Sequence, residues 1–164
     1  MRRFRAISCA ALMVLAGFGA AAEPAPALSV PTLAGPAFDL SAQRGHVVIV
    51  NFWATWCVPC RAEMPMLDAF YKKHRGEGLD IIGLSVDSPA ALAKVKQVAA
   101  TVSYPMAVAR DAQANGFSAP NALPVTYVID GKGEVKAVLM PEDDKGLDEA
   151  KLAKIVEPLM KSWP

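Results

Sequence analysis

The sequence predicts an α/β sandwich around a mixed β-sheet, and three observations point there. Strand-like and helix-like segments alternate along the chain, two of the strand-like runs are almost wholly apolar, and the pattern closes with a hairpin and a helix. At 164 residues the chain suits one domain with a sizeable core, and it shows neither an internal repeat nor a second-domain boundary.

The elements follow in order. Arg2, Arg3 and Arg5 precede a mostly apolar run from Ala6 to Ala22 that ends Ala20-Ala21-Ala22-Glu23. A charged start, an apolar middle and a small-residue site read as a signal peptide over residues 1–22. The alternative is an uncleaved anchor, because the run approaches the length that spans a bilayer. Cleavage after Ala22 leaves about 140 residues and takes Cys9 with the leader. Residues 23–35 are rich in Pro and Ala and predict an extended lead-in, with the folded domain over 36–164.

Phe38-Asp39-Leu40 reads as a short strand and Gln43-Arg44-Gly45 as a turn. Val47 to Phe52 is nearly all apolar and β-branched, which suits a strand covered on both faces. A helix is expected over 58–75, with Met64, Leu67, Phe70 and Tyr71 on one face and a kink at Pro65. Leu79 to Val86 is the second buried-type strand. Asp87-Ser88-Pro89 predicts a new helix to about Val102, with Ser88 as N-cap and Pro89 at the first helical position. Met106 to Ala109 suggests a short strand and Asp111 to Gly116 a turn or short helix. Val125 to Ile129 and Glu134 to Leu139 are strands joined by Asp130-Gly131-Lys132-Gly133, a hairpin signal. The acidic stretch Pro141 to Asp144 reads as a solvated turn, with a loop facing a partner as the alternative, and a last helix over 148–160 buries Leu152, Ile155, Val156 and Leu159.

Charge excludes one class of function. The whole chain carries +1, and without residues 1–22 it holds 14 basic and 16 acidic residues, a net −2. That balance gives no reason to expect nucleic-acid binding.

The chemistry concentrates in Asn51-Phe-Trp-Ala-Thr-Trp-Cys-Val-Pro-Cys60, which passes from a strand into a helix. A thiol at a helix N-terminus faces unpaired N–H groups and the positive end of the macrodipole, so its thiolate is stabilised. Cys60 lies one turn on and reaches Cys57 with little loop to close. So short a loop adds little as a structural staple, so the pair is read as exchanging between dithiol and disulfide. A structural zinc site lacks a second Cys pair, and His46 and His74 lack ligand spacing. Copper(I) held by the two thiolates with Met64 or Met66 is an alternative from another class, against which those methionines read as core filler.

Trp-Cys-Val-Pro-Cys at a strand-to-helix junction, with Pro65 five residues after Cys60, resembles the thioredoxin fold over most of residues 36–162. The leader, the Asn-Phe-Trp-Ala-Thr-Trp-Cys run, the downstream Glu63-Met64-Pro65 and the extra stretch over 89–109 resemble the exported TlpA/ResA/CcmG branch. The resemblance implies a three-layer sandwich with a central mixed sheet and a helix-strand insertion. It implies that Cys57 attacks a partner disulfide and Cys60 resolves the mixed disulfide, with no cofactor besides the pair. Pro59 then tunes the pair by removing one N–H and fixing the turn, and Trp56 packs beside the cysteines, with Trp53 mostly core.

Where thioredoxin carries a buried Asp, two residues before its Phe-Trp tryptophan, this chain has Asn51, which cannot titrate. Glu63, three residues after Cys60, is the candidate to take the Cys60 proton; the alternative is an ordinary exposed helix carboxylate. The resemblance further implies a cis peptide at Leu123-Pro124 beside the cysteines, with the Leu123 backbone open to pair with an extended substrate. CcmG-like members carry an acid after this Pro, and Val125 departs from that pattern.

By family the expected role is a periplasmic reductant of client proteins with oxidised Cys pairs, such as apocytochrome c or copper-delivery proteins. A membrane thiol donor of DsbD/CcdA type would recharge it, and residues 6–22 are a candidate membrane tether. A DsbA-type oxidant or isomerase would use the same residues. A peroxidase does not fit, because Thr55 is not at the Pro-x-x-x-Thr-x-x-Cys spacing of peroxiredoxins.

Overall fold

A computed structural model describes residues 23–117, 120–141 and 147–161. The leader over 1–22 and residues 142–144 of the acidic stretch lie outside the described residues. The strands are β1 (Glu23–Pro24), β2 (Leu28–Val30), β3 (Phe38–Asp39), β4 (Val47–Trp53), β5 (Leu79–Ser85), β6 (Met106–Val108), β7 (Ala114–Asn115), β8 (Val125–Ile129) and β9 (Glu134–Leu139). The helices are α1 (Val58–His74), α2 (Leu92–Ala99) and α3 (Glu149–Lys161).

Six strands form one mixed sheet in the order β1-β9-β8-β4-β5-β6. The central strand β4 runs parallel to β5 and antiparallel to β8. Its side chains alternate between two cores. Val47, Ile49 and Trp53 face Met64, Leu67 and Phe70 of α1, Val95 of α2, and Leu152 and Val156 of α3. Val48, Val50 and Phe52 pack instead with Leu28, Val30, Phe38, Leu40 and Phe117. Every residue of β4 is buried, which is why the run carries no polar alternation beyond Asn51.

The layers are therefore three: helices, the six-stranded sheet, and a second small sheet in the order β3-β2-β7. The lead-in builds much of that third layer. Its backbone is extended and paired, β1 against β9 at Glu23 and Val135, and β2 against β3 and β7.

Three local expectations change. The stretch over 111–116 contains strand β7, because Leu28 and Ser29 offer it a backbone partner. Ser88 makes no side-chain cap; Pro89–Ala91 is a 3-10 turn closed by the Ala91 N–H on the Ser88 carbonyl, and α2 begins at Leu92. That helix also stops at Ala99, three residues early. Both the N–H and the hydroxyl of Thr101 take the Val98 carbonyl, tightening the last turn. The hairpin matches its signal: Asp130 Oδ1 accepts from the Lys132 and Glu134 N–H groups, and Gly133 adopts φ 78°.

Candidate active site

Helix α1 starts where β4 ends, and Cys57 is its N-cap, with φ −80° and ψ 103°. Cys57 and Cys60 are joined by a disulfide, and Cys57 Sγ accepts a hydrogen bond from the Cys60 N–H at 3.2 Å. Pro59 stands between them in the first turn and contributes no N–H, which leaves the Cys60 amide as the donor on the sulfur. Both cysteines are buried within the core beneath α1. The arrangement supports a Cys57 thiolate once the bridge is opened, because the helix N-terminus and an N–H donor both face the sulfur.

Trp56 directly precedes Cys57 in the chain. It is 67% exposed, and with the equally open Val58 it flanks Cys57 on the surface. Trp53 is fully buried beneath the sheet's helical face and belongs to the core, as expected.

The Leu123-Pro124 peptide is cis. Strand β8 pairs Val125 with Phe52, and one further step of that register sets buried Pro124 opposite Trp53, four residues before Cys57. Leu123 is half-buried and packs on the core cluster that contains both cysteines.

Asn51 is buried on β4 and donates from Nδ2 to Thr126 Oγ1 at 2.9 Å. Glu63 is 7% exposed, so the reading of an ordinary solvated carboxylate fails. Its Oε1 accepts from the Leu147 N–H at 3.0 Å, while Oε2 is buried without a hydrogen-bond partner. Burial pushes the Glu63 carboxyl above its ordinary value, against the opposing pull of the Leu147 N–H and of Lys151.

The sequence reading missed Asp87, which it took only as the start of a helix. Asp87 is buried, and its carboxylate accepts from the Thr55 N–H at 2.8 Å and the Thr55 hydroxyl at 2.7 Å. The available signal was an acid placed directly after a run of buried strand residues.

His46 is bound to Asp80 and His74 to Glu77, and Met64 is buried in the core. Among the described residues, no group of three or more His, Cys, Asp or Glu side chains is placed to hold a metal ion.

Fold and site together define a thioredoxin-fold thiol–disulfide oxidoreductase. The sequence model of the AhpC/TSA family matches residues 21–138, and the chain belongs to that family. The chain is similar to the thiol-disulfide oxidoreductase ResA of Bacillus cereus (strain ZK / E33L), 34% identical over 135 residues, covering 81% of this chain and 77% of the relative. Among solved structures it is similar to a thiol:disulfide interchange protein of the thioredoxin family from Chlorobium tepidum TLS. There the TM-score is 0.69 at 28% identity, over 87% of this chain and 99% of the other. A secreted Mycobacterium tuberculosis disulfide oxidoreductase, homologous to E. coli DsbE, shares the fold with a TM-score of 0.62 at 18% identity, over 80% and 95% of the two chains.

Proposed function

We propose that the protein is an exported reductant of disulfides in client proteins. One observation carries this reading: Cys57 caps α1 with Cys60 one turn below it, next to the strand end that bears cis-Pro124.

The Cys57 thiolate attacks one sulfur of a client disulfide. The new Cys57–client bond forms as the client's S–S bond breaks, and the departing client thiolate takes a proton. Cys60 then loses its proton and attacks Cys57 Sγ, which closes the Cys57–Cys60 bridge and releases the second client thiolate. Two electrons pass from the dithiol to the client. Asn51 cannot take the Cys60 proton, and Glu63 is the group assigned to it. The Leu123 backbone pairs with an extended client segment.

A membrane thiol donor of DsbD/CcdA type recharges the bridge by the reverse exchange, and no cofactor beyond the cysteine pair takes part. The clients are oxidised Cys pairs of the kind found in apocytochrome c haem sites or copper-delivery proteins. Residues 1–22 direct export to the periplasm. Support comes from the ResA relative and from the secreted neighbour. No helix among the described residues is long and apolar enough to cross a membrane.

The test is the reduction potential of Cys57–Cys60, measured against defined thiol buffers. A value near or below about −220 mV supports a reductant, and one near about −120 mV makes the protein an oxidant.

A further inference from the structure

We propose that Asp87 is a positioning residue for the active-site thiolate, locking through Thr55 the loop that delivers Cys57 to the N-cap of α1. The inference rests on thiol–disulfide exchange at Cys57 and is independent of the direction of electron flow.

Only Ala54 to Cys57 separate the end of β4 from the start of α1. The Cys57 N–H closes a turn onto the Ala54 carbonyl at 3.1 Å, so the position of Cys57 depends on where Ala54 and Thr55 are held. Asp87 holds Thr55 twice, by its N–H and by its hydroxyl. The carboxylate is fixed in turn by the Ser85 hydroxyl, which donates to Oδ2 at 2.8 Å and accepts from the Asp87 N–H at 3.1 Å. Arg110 Nη1 donates to the Asp87 carbonyl at 2.7 Å, and the Val86 N–H donates to the Trp53 carbonyl at 2.9 Å. The ends of β4 and β5 are thus tied on both sides of the loop.

A buried carboxylate is costly unless its acceptor sites are filled. Here three donors fill it, and two of them belong to one residue of the active-site loop. That is a reason to spend a carboxylate at a strand end rather than an apolar side chain. Loosening Thr55 frees Cys57 to leave the cap, where its sulfur loses the Cys60 N–H and the first turn of the helix.

The discriminating variant is Thr55→Val, which removes the hydroxyl donor while leaving the Asp87 side chain and every charge unchanged. The readout is the thiol pKa of Cys57, taken from the pH dependence of iodoacetamide alkylation of the reduced, full-length protein. The expected result is a rise of about one unit, hence ~tenfold less thiolate below the pKa, with Thr55→Ser like the wild type. Ser85→Ala, which loosens Asp87 without touching Thr55, shifts it the same way by less. A Thr55→Val protein that melts cooperatively but keeps the wild-type pKa and alkylation rate overturns the proposal. If Thr55→Val does not fold, Ser85→Ala decides by the same criterion. A wild-type potential at the oxidising end would sink the reductant reading and leave this result intact.

Discussion

The Leu147 N–H and the Glu63 carboxylate are hydrogen-bonded at 3.0 Å across 84 positions of sequence. The bond ties the second turn of α1 to the segment that enters α3, and it keeps Glu63 out of water. A carboxyl whose folded pKa lies above its unfolded value favours the protonated folded state. Its contribution is fully present below the ordinary value of 4.5 and is lost as pH rises through the raised one. Glu63→Gln removes that loss. The variant should therefore gain stability over the wild type as pH rises above 4.5, measured by urea unfolding at a series of pH values; a pH-independent difference would contradict the buried-carboxyl account. If Glu63 takes the Cys60 proton, the same variant slows reduction of a client disulfide by about tenfold or more. Unchanged kinetics would remove that role.

The two cysteines should fail in different ways. Cys57→Ser leaves no attacking sulfur and no detectable client reduction. Cys60→Ser still attacks, cannot resolve, and accumulates a mixed disulfide seen by mass under non-reducing conditions. Equal trapping by both variants would show that either sulfur attacks.

Asn51 offers a test of why this position is uncharged. Asn51→Asp places a carboxyl where the side chain is 1% exposed and is bonded to the Thr126 hydroxyl. The expected cost is about 1–3 kcal/mol at neutral pH, shrinking towards pH 5 as the acid protonates. Denaturant midpoints at the two pH values check it, and a cost that does not vary with pH speaks against ionisation as the cause.

Gly83 is a packing constraint directly beside the site strand. It pairs with Asn51 on one side and Met106 on the other, and an added Cβ would collide with Met106 Sδ and lie 3.3 Å from Trp53 Nε1. Gly83→Ala should cost about 1–3 kcal/mol by overpacking. Combined with Met106→Ala, the loss should be smaller than the sum of the two single changes, because the cavity of one accommodates the methyl of the other. Strict additivity in thermal melts would place the strain elsewhere.

Much of this fold is written locally. The continuous apolar runs of β4 and β5 and the Asp130–Gly133 turn each announce their element without help from distant residues, and the spacing of Cys57 and Cys60 announces the chemistry. What stayed hidden depends on long-range partners. Strand β7 is two residues long and exists because β2, more than eighty positions away, is there to pair with it. Helical spacing put Glu63 on the cysteine face but could not say how deep, since depth is set by the chain around Leu147. Trp53 is legible as core from its place on the strand, whereas nothing local says how far Trp56 stands out of the surface. Asp87 looked like a helix start because Ser and Pro follow it, while its actual partner, Thr55, is 32 positions earlier.

The pairing of β1 with β9 has a geometric consequence for any attachment. Glu23 sits beside Val135, which neighbours Ile129 and, across the next strand, Val48 at the start of β4. Cys57 lies past the other end of β4. With strands rising about 3.3 Å per residue, the point where residue 23 joins the sheet and the reactive sulfur are separated by roughly 20 Å along the strands. A bead or a label coupled at residue 23 itself would therefore be held at the end of the sheet opposite the reactive sulfur.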